Sequence, residues 1–288
     1  MIQAINRRDA IRHLSGLAAA AIIPEVHAST HTKSKIKIGA CDWSINGHSK
    51  IEALDTAKKI GLDGVQISLG TVANDMHLRR PEIQQLYKKA SAETGVAIGG
   101  LAIGELNSIP YKSDPRTEKW VSDSIDVAKA MGCRVILLAF FSEGDLKNDP
   151  AGKKEVIRRF KKVASKAENE GIVLGIESWL SAREHMEIID AVGSPNIKVY
   201  YDVANSTQMG YDIFEEIPFL NKQICEVHMK ENGQLLGKGL VNFEKVKKAL
   251  DDISYQGWVQ IEGAVPKGGD MLTSYIANNQ YLRQLYKS

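Results

Sequence analysis

The feature that most constrains this chain is a change of hydrophobic period that repeats along its length. From Lys35 onward, short apolar runs alternate with longer amphipathic stretches, eight times over. The runs are IKIGACDW, GVQISLG, VAIGGLAIG, CRVILLAF, IVLGIES, IKVYYDVAN, ICEVHMK and GWVQIEG. Each has the length of a strand, and most are apolar on both faces, the pattern of a parallel sheet covered on two sides. Helical patterns fill the gaps: 49–60, a stretch opened by Pro81, 115–131, AGKKEVIRRFKKVASKAENEG, SAREHMEIIDAVG, a weaker one over 213–220, NFEKVKKALDDIS and 271–286. Gly61, Gly95, Gly132, Gly171 and Gly193 close five of them, where C-terminal caps belong. Eight β-then-α units over roughly 250 residues is the size of a (β/α)8 TIM barrel, and we expect one such catalytic domain over 35–288. An open doubly wound sheet is the competing architecture, but no glycine-rich phosphate loop follows the first strand.

The first 28 residues follow another logic. A basic start (Arg7, Arg8, Arg12), an apolar middle over 17–23 and a small-residue site at 26–28 form the layout of a signal peptide. The segment NRRDAIRHL resembles a twin-arginine export signal, with Ala10 where that motif usually carries Phe. We therefore expect 1–28 to be cleaved after passage through the twin-arginine machinery, giving a periplasmic or otherwise exported protein. The apolar run is too short to span a bilayer. No cysteine follows it to take a lipid, so no stable membrane anchor is expected. An amphipathic N-terminal helix is the alternative.

Charge narrows the partner. With 37 basic and 35 acidic residues the formal net charge is +2, which offers no footprint for nucleic acid. A small neutral or weakly charged ligand is the expectation. Cys41, Cys133 and Cys225 are odd in number and widely spaced, so they are neither a disulfide framework nor a zinc knuckle. We read them as buried free thiols.

Barrel enzymes place their chemistry at the C-terminal ends of the strands. The fifth run ends in Glu177, the sixth reaches Asp202, the seventh carries His228 and the eighth reaches Glu262. Taken singly, each has a bland reading: a solvated strand end, a helix cap, a core histidine, a loop carboxylate. Together they stand one βα unit apart on adjacent strands. Three carboxylates converging without a cation would repel one another, and a divalent ion removes that cost. Oxygen-rich ligation with one imidazole suits Mn²⁺, Mg²⁺ or Co²⁺, with Zn²⁺ as a further candidate.

At these residues the chain resembles a known family. LGIES, VYYDVAN, EVHMKENGQLLGKGLVNFEKV and GWVQIEG look like the sugar phosphate isomerase/epimerase family of xylose isomerase-like barrels. The resemblance implies one divalent metal held by Glu177, Asp202, His228 and Glu262, with Glu177 and Glu262 doubling as the acid/base pair. It implies proton abstraction beside the carbonyl of a sugar or keto-sugar, through an enediolate stabilised by the metal. Ketose 3-epimerases of the family carry His where this chain has Asn205 and Arg where it has Gln234. Both grip substrate there, so the resemblance implies a different grip here.

Softer candidates surround the four. Lys230, two residues after His228, shares its face and meets a substrate oxygen, or forms a salt bridge. Glu105 and Asn107 line the pocket or cap loops, and Asn205 is a candidate substrate-binding residue. Gln66 binds a hydroxyl or is a satisfied core amide. Trp43 and Trp179 offer faces to a sugar ring or pack, while His48 and His185 read as solvated. The expected function is a metal-dependent isomerase or epimerase of a small carbohydrate. A lyase or dehydratase acting on a keto-sugar, keto-glycoside or keto-polyol is the second reading, and a non-catalytic sugar-binding barrel the third. The sequence is silent on oligomeric state, and a homo-oligomer is compatible with it.

Overall fold

The computed structural model describes residues 36–287. The signal-peptide reading of 1–28 lies outside the described residues. Eight parallel strands pair in sequence order and close: β1 (Ile36–Cys41), β2 (Gly64–Ser68), β3 (Ala97–Ile103), β4 (Val135–Phe140), β5 (Val173–Ser178), β6 (Ile197–Asp202), β7 (Ile224–Lys230) and β8 (Gly257–Glu262), with β8 returning to β1. Helices α1 (Ala53–Ile60), α2 (Pro81–Thr94), α3 (Arg116–Met131), α4 (Pro150–Glu170) and α5 (Ala182–Val192) follow the first five strands. Short α6 (Val203–Gln208) and α7 (Ile213–Leu220) follow β6, while α8 (Phe243–Asp252) and α9 (Met271–Leu285) follow β7 and β8. The expected (β/α)8 barrel is therefore the observed fold. No helix of the described residues is long and apolar enough to cross a membrane.

The five expected glycine caps all adopt left-handed backbone, from φ 66° at Gly171 to φ 83° at Gly61, and return their N–H groups to the last helical carbonyls.

Strand alternation divides the apolar side chains into two cores. Outward residues such as Ile38, Val65, Leu138, Ile176, Val227 and Ile261 pack with the helices in one large buried cluster. A smaller cluster of Ala102, Val135, Leu137, Ala139, Val173 and Tyr200 fills the barrel itself. The interior is tight because large residues on one strand need glycine on another. A Cβ on Gly64 would sit 2.4 Å from the Trp258 ring, and one on Gly39 2.1 Å from Gln260 Oε1.

Two local readings change. The run IKVYYDVAN is not one strand: β6 stops at Asp202, whose side chain caps α6 by accepting from the Ala204 and Asn205 N–H groups, both at 2.8 Å. The first run likewise ends at Cys41, and Asp42–Ile45 winds into a 3-10 turn. Asp42 is wholly buried there and holds that turn to the end of β2, accepting from Ser68 N at 2.8 Å and Ser68 Oγ at 2.7 Å.

Candidate active site

Four strand ends meet at the mouth of the barrel. Register sets Asp202 of β6 beside His228 of β7, and Lys230 beside Glu262 of β8, while Glu177 stands near the end of β5. All point inward by alternation. His228 Nδ1 lies 3.0 Å from Glu177 Oε1, 3.5 Å from Glu262 Oε2 and 3.7 Å from Asp202 Oδ2. One donor atom from each of the four lies within 4.8 Å of all the others.

These donors are nearly dry. His228 is wholly buried, and Glu177 and Asp202 are each 4% exposed. Burial raises the Glu177 carboxyl above its ordinary value, and the imidazole only partly opposes that shift. Burial also acts to raise Glu262, but His228 and Lys230 outweigh it and hold that carboxyl down at about 2. For His228 burial works against the charged ring, yet the surrounding acids lift it well above the ordinary histidine value. The site thus pulls strongly for positive charge. Asp202 divides its carboxylate: Oδ1 caps α6, while the buried Oδ2 accepts no hydrogen bond. A buried carboxylate oxygen without a hydrogen bond, beside two more carboxylates and an imidazole, is what a divalent cation would satisfy. The four side chains present fit such an ion.

Cys41, His228 and Glu262 form an overlapping group of donors. Cys41 Sγ faces the far nitrogen of the ring, 3.3 Å from His228 Nε2, and burial pushes its thiol up to about 12. A protonated sulfur on that side is a poor ligand, so the oxygen-rich set is the better one.

Around the donors opens a cavity of about 480 Å³ whose wall includes Glu177, Glu262, Lys230, Asn205, Glu105 and Trp43. Lys230 Nζ reaches Glu262 Oε2 at 2.8 Å and Asp202 Oδ2 at 3.6 Å. Trp43 Nε1 donates to Glu262 Oε1 at 2.8 Å, and its ring meets His228 edge-on. Asn205 is buried at the start of α6. Phe141 and Trp179, also in the wall, pack edge to face at 4.9 Å. Asn107 also reaches the cavity, but its Oδ1 accepts from Phe141 N at 2.9 Å and so holds the wall in place.

Other readings are corrected. Gln66 is not on the cavity wall; it is wholly buried beneath it, with Oε1 toward His228 and Nε2 donating to Tyr200. His185 is not solvated but buried between Ser178 and Ser181, while His48 is exposed at the cavity edge. Gln234 is exposed in a loop that Glu231 ties down by accepting from Leu240 N, and that Asn278 ties by accepting from Leu236 N. Cys41 and Cys133 are buried as expected, Cys225 only partly, and all three are free. Phe141, Tyr200 and Glu226 escaped the sequence reading.

The family profile described as xylose isomerase-like TIM barrel matches residues 54–285. A 2-epi-5-epi-valiolone 7-phosphate 2-epimerase of Actinoplanes sp. is 25% identical over 177 residues, covering 61% of this chain and 65% of that one, so the chain spans just under two thirds of its length. A D-psicose 3-epimerase of Enterocloster bolteae is 21% identical over 234 residues, covering 75% of this chain and 77% of the relative. Among solved structures, a 3-keto-D-glucoside 4-epimerase from E. coli superposes with a TM-score of 0.71 at 16% identity, covering 86% of this chain and 99% of that one.

Proposed function

The chain belongs to the xylose isomerase-like TIM barrel family, and from that premise we propose that it is a divalent-metal-dependent isomerase or epimerase of a sugar carbonyl compound. The observation that carries the reading is the convergence of Glu177, Asp202, His228 and Glu262, with Asp202 Oδ2 buried and without a hydrogen bond, on a substrate-sized cavity. Cavities of roughly 300–1,000 Å³ are usual for small-molecule sites. A divalent ion held there supplies a Lewis acid that polarises a carbonyl and stabilises the charge left on its oxygen when the neighbouring C–H is deprotonated.

The protein's own groups do the rest. Glu177 and Glu262 take and return the proton; return to the same carbon inverts it, and return to its neighbour isomerises. Trp43 fixes Glu262 Oε1 and so aims the other oxygen inward. Lys230, already beside Glu262 and Asp202, donates to a substrate oxygen at the same rim. Asn205 and Glu105 bind hydroxyls, and the Phe141–Trp179 pair offers an apolar face to a sugar ring.

The substrate we favour is not phosphorylated. Lys230 is the one lysine or arginine in the described cavity wall, and two carboxylates already neutralise it. Glu105 adds negative charge, which a phosphate would meet without compensation. A keto-sugar or keto-glycoside is the better match, and the E. coli structural neighbour bears a keto-glucoside epimerase name. Export through the twin-arginine route, proposed from residues 1–28, also favours unphosphorylated sugars.

Incubation of keto-sugars and keto-glycosides with Mn²⁺-loaded protein in D₂O tests the reading. Deuterium in a product of unchanged formula supports it. An enone or a released alcohol would replace it with the lyase reading, which shares the first proton transfer. Binding without any exchange would leave the non-catalytic barrel. N-terminal sequencing of the protein from a periplasmic fraction tests export: an intact Met1 start there would sink the cleavage at 1–28.

A further inference from the structure

On the side of His228 away from the carboxylates, a line of buried side chains descends into the barrel. His228 Nε2 lies 3.2 Å from Gln66 Oε1. Gln66 Nε2 donates to Tyr200 Oη at 3.0 Å, and Tyr200 Oη donates to Glu226 Oε2 at 3.0 Å. Cys41 Sγ donates to the same Gln66 Oε1 at 3.3 Å. None of the five residues is more than 1% exposed, so the line is shut off from bulk solvent. The proton transfer proposed above uses none of Gln66, Tyr200 or Glu226.

The line has one direction. A phenol has a single hydrogen, and Tyr200 gives it to Glu226. Glu226 Oε2 accepts that hydrogen at 3.0 Å, as a carboxyl oxygen can. Tyr200 therefore turns a lone pair toward Gln66, which only the amide NH₂ can meet. That turns the amide carbonyl toward His228, and a carbonyl only accepts. One ring hydrogen must then sit on Nε2, so when the ring gives up its other proton to a cation it is Nδ1 that keeps the lone pair. Nδ1 is the nitrogen that faces Glu177, Asp202 and Glu262.

We propose that Glu226, Tyr200 and Gln66 are positioning residues that hold His228 as the Nε2–H tautomer, so that Nδ1 is presented as the one nitrogen ligand of the site. The inference rests on the metal reading above for the identity of what Nδ1 binds. Loss of such outer hydrogen bonds typically weakens metal binding about 10–100-fold. Without Tyr200 Oη, the Gln66 NH₂ loses its acceptor, and the amide is free to rotate and present a donor to Nε2.

The full chain, ¹⁵N-labelled at histidine, tests this. Mn²⁺ affinity is measured by chelator competition, and the ring protonation of His228 by long-range ¹⁵N–¹H spectra of the Mg²⁺-loaded protein. We expect the wild-type ring to carry its hydrogen on Nε2. Tyr200→Phe and Glu226→Leu should each weaken Mn²⁺ binding about 10–100-fold. Glu226→Gln still offers Tyr200 an acceptor oxygen and should stay close to wild type. A ring hydrogen on Nδ1, or Mn²⁺ binding unchanged in both Tyr200→Phe and Glu226→Leu, overturns this inference alone. A wild type that binds no divalent ion overturns the metal reading as well. If Tyr200→Phe does not fold by circular dichroism, the contrast between Glu226→Gln and Glu226→Leu decides.

Discussion

His185 shows how much one side chain can carry outside the site. Its Nε2 meets Ser178 Oγ at 2.9 Å and its Nδ1 meets Ser181 O at 3.0 Å, so it ties the end of β5, next to Glu177, to the start of α5. Burial lowers its pKa from 6.5 to about 4. As pH falls the unfolded chain takes the proton first, so this contribution is full above 6.5 and is lost on the way down to about 4. Between pH 7 and pH 5 the loss is about 2 kcal/mol. Urea unfolding should show it in the wild type, and His185→Gln should flatten that limb. The sequence held a signal for this burial, because His185 precedes Ile188 and Ile189 at helical spacing on a buried face. At the reacting centre, Glu177→Gln and Glu262→Gln should each cut turnover by about 10²–10⁴-fold with the fold intact by circular dichroism. Wild-type turnover in both would remove the acid/base assignment.

At the scale of elements, α6 was hidden by composition. The aromatic and β-branched run through Tyr200, Tyr201 and Val203 reads as strand, and the cap that ends it becomes visible only when Asp202 turns its Oδ1 back to two N–H groups. One carboxylate thereby sets a helix and faces the site. Asp202→Asn keeps an oxygen for the cap and should lose metal affinity with little change in the stability of the metal-free protein. Asp202→Ala loses the cap too and should cost about 1 kcal/mol more. Calorimetric metal titration and urea midpoints on the same two variants separate the effects; equal stability in both would mean the cap contributes nothing. The Tyr200–Glu226 contact was hidden for another reason. Alternation points both residues inward, two positions before Asp202 and His228. Simple pairing from Val199 opposite Ile224 would oppose Tyr200 to Cys225, but a register shift after Val199 brings it to Glu226. A bulge of this kind leaves no mark in hydrophobic pattern.

For the whole molecule, the architecture was legible because closure of eight equal units needs only strand length, helix length and caps. The four donors were legible for the same reason, since each stands at or near the end of its own strand. The shape of the cavity was not. It depends on which strands give up volume, as Gly39 and Gly64 do for Gln260 and Trp258. If an ion joins strands β5 to β8 at their mouth, it ties one half of the barrel together and should stabilise all of it. At a free concentration 100 times Kd it adds about 2.7 kcal/mol. That raises Tm by on the order of 5–10 °C for a chain of this size. Chelation should lower Tm by that amount and abolish turnover, and Mn²⁺ should restore both. A Tm indifferent to chelator and to added Mn²⁺, Mg²⁺ or Co²⁺ would argue against a bound ion.

β7 sends Glu226, His228 and Lys230 into the barrel as three rungs, roughly 6.6 Å apart. Its other face shows only apolar side chains at Val227 and Met229. A slip of β7 by two residues would keep apolar groups against the helices and polar groups inside, so packing alone would hardly resist it. It would, however, bring a carboxylate or an ammonium to the rung where the imidazole belongs. The misaligned barrel would be a decoy, able to survive heat and protease yet blank as a catalyst. The register shift beside Val199 belongs to the alignment that puts the imidazole on its own rung, opposite Asp202.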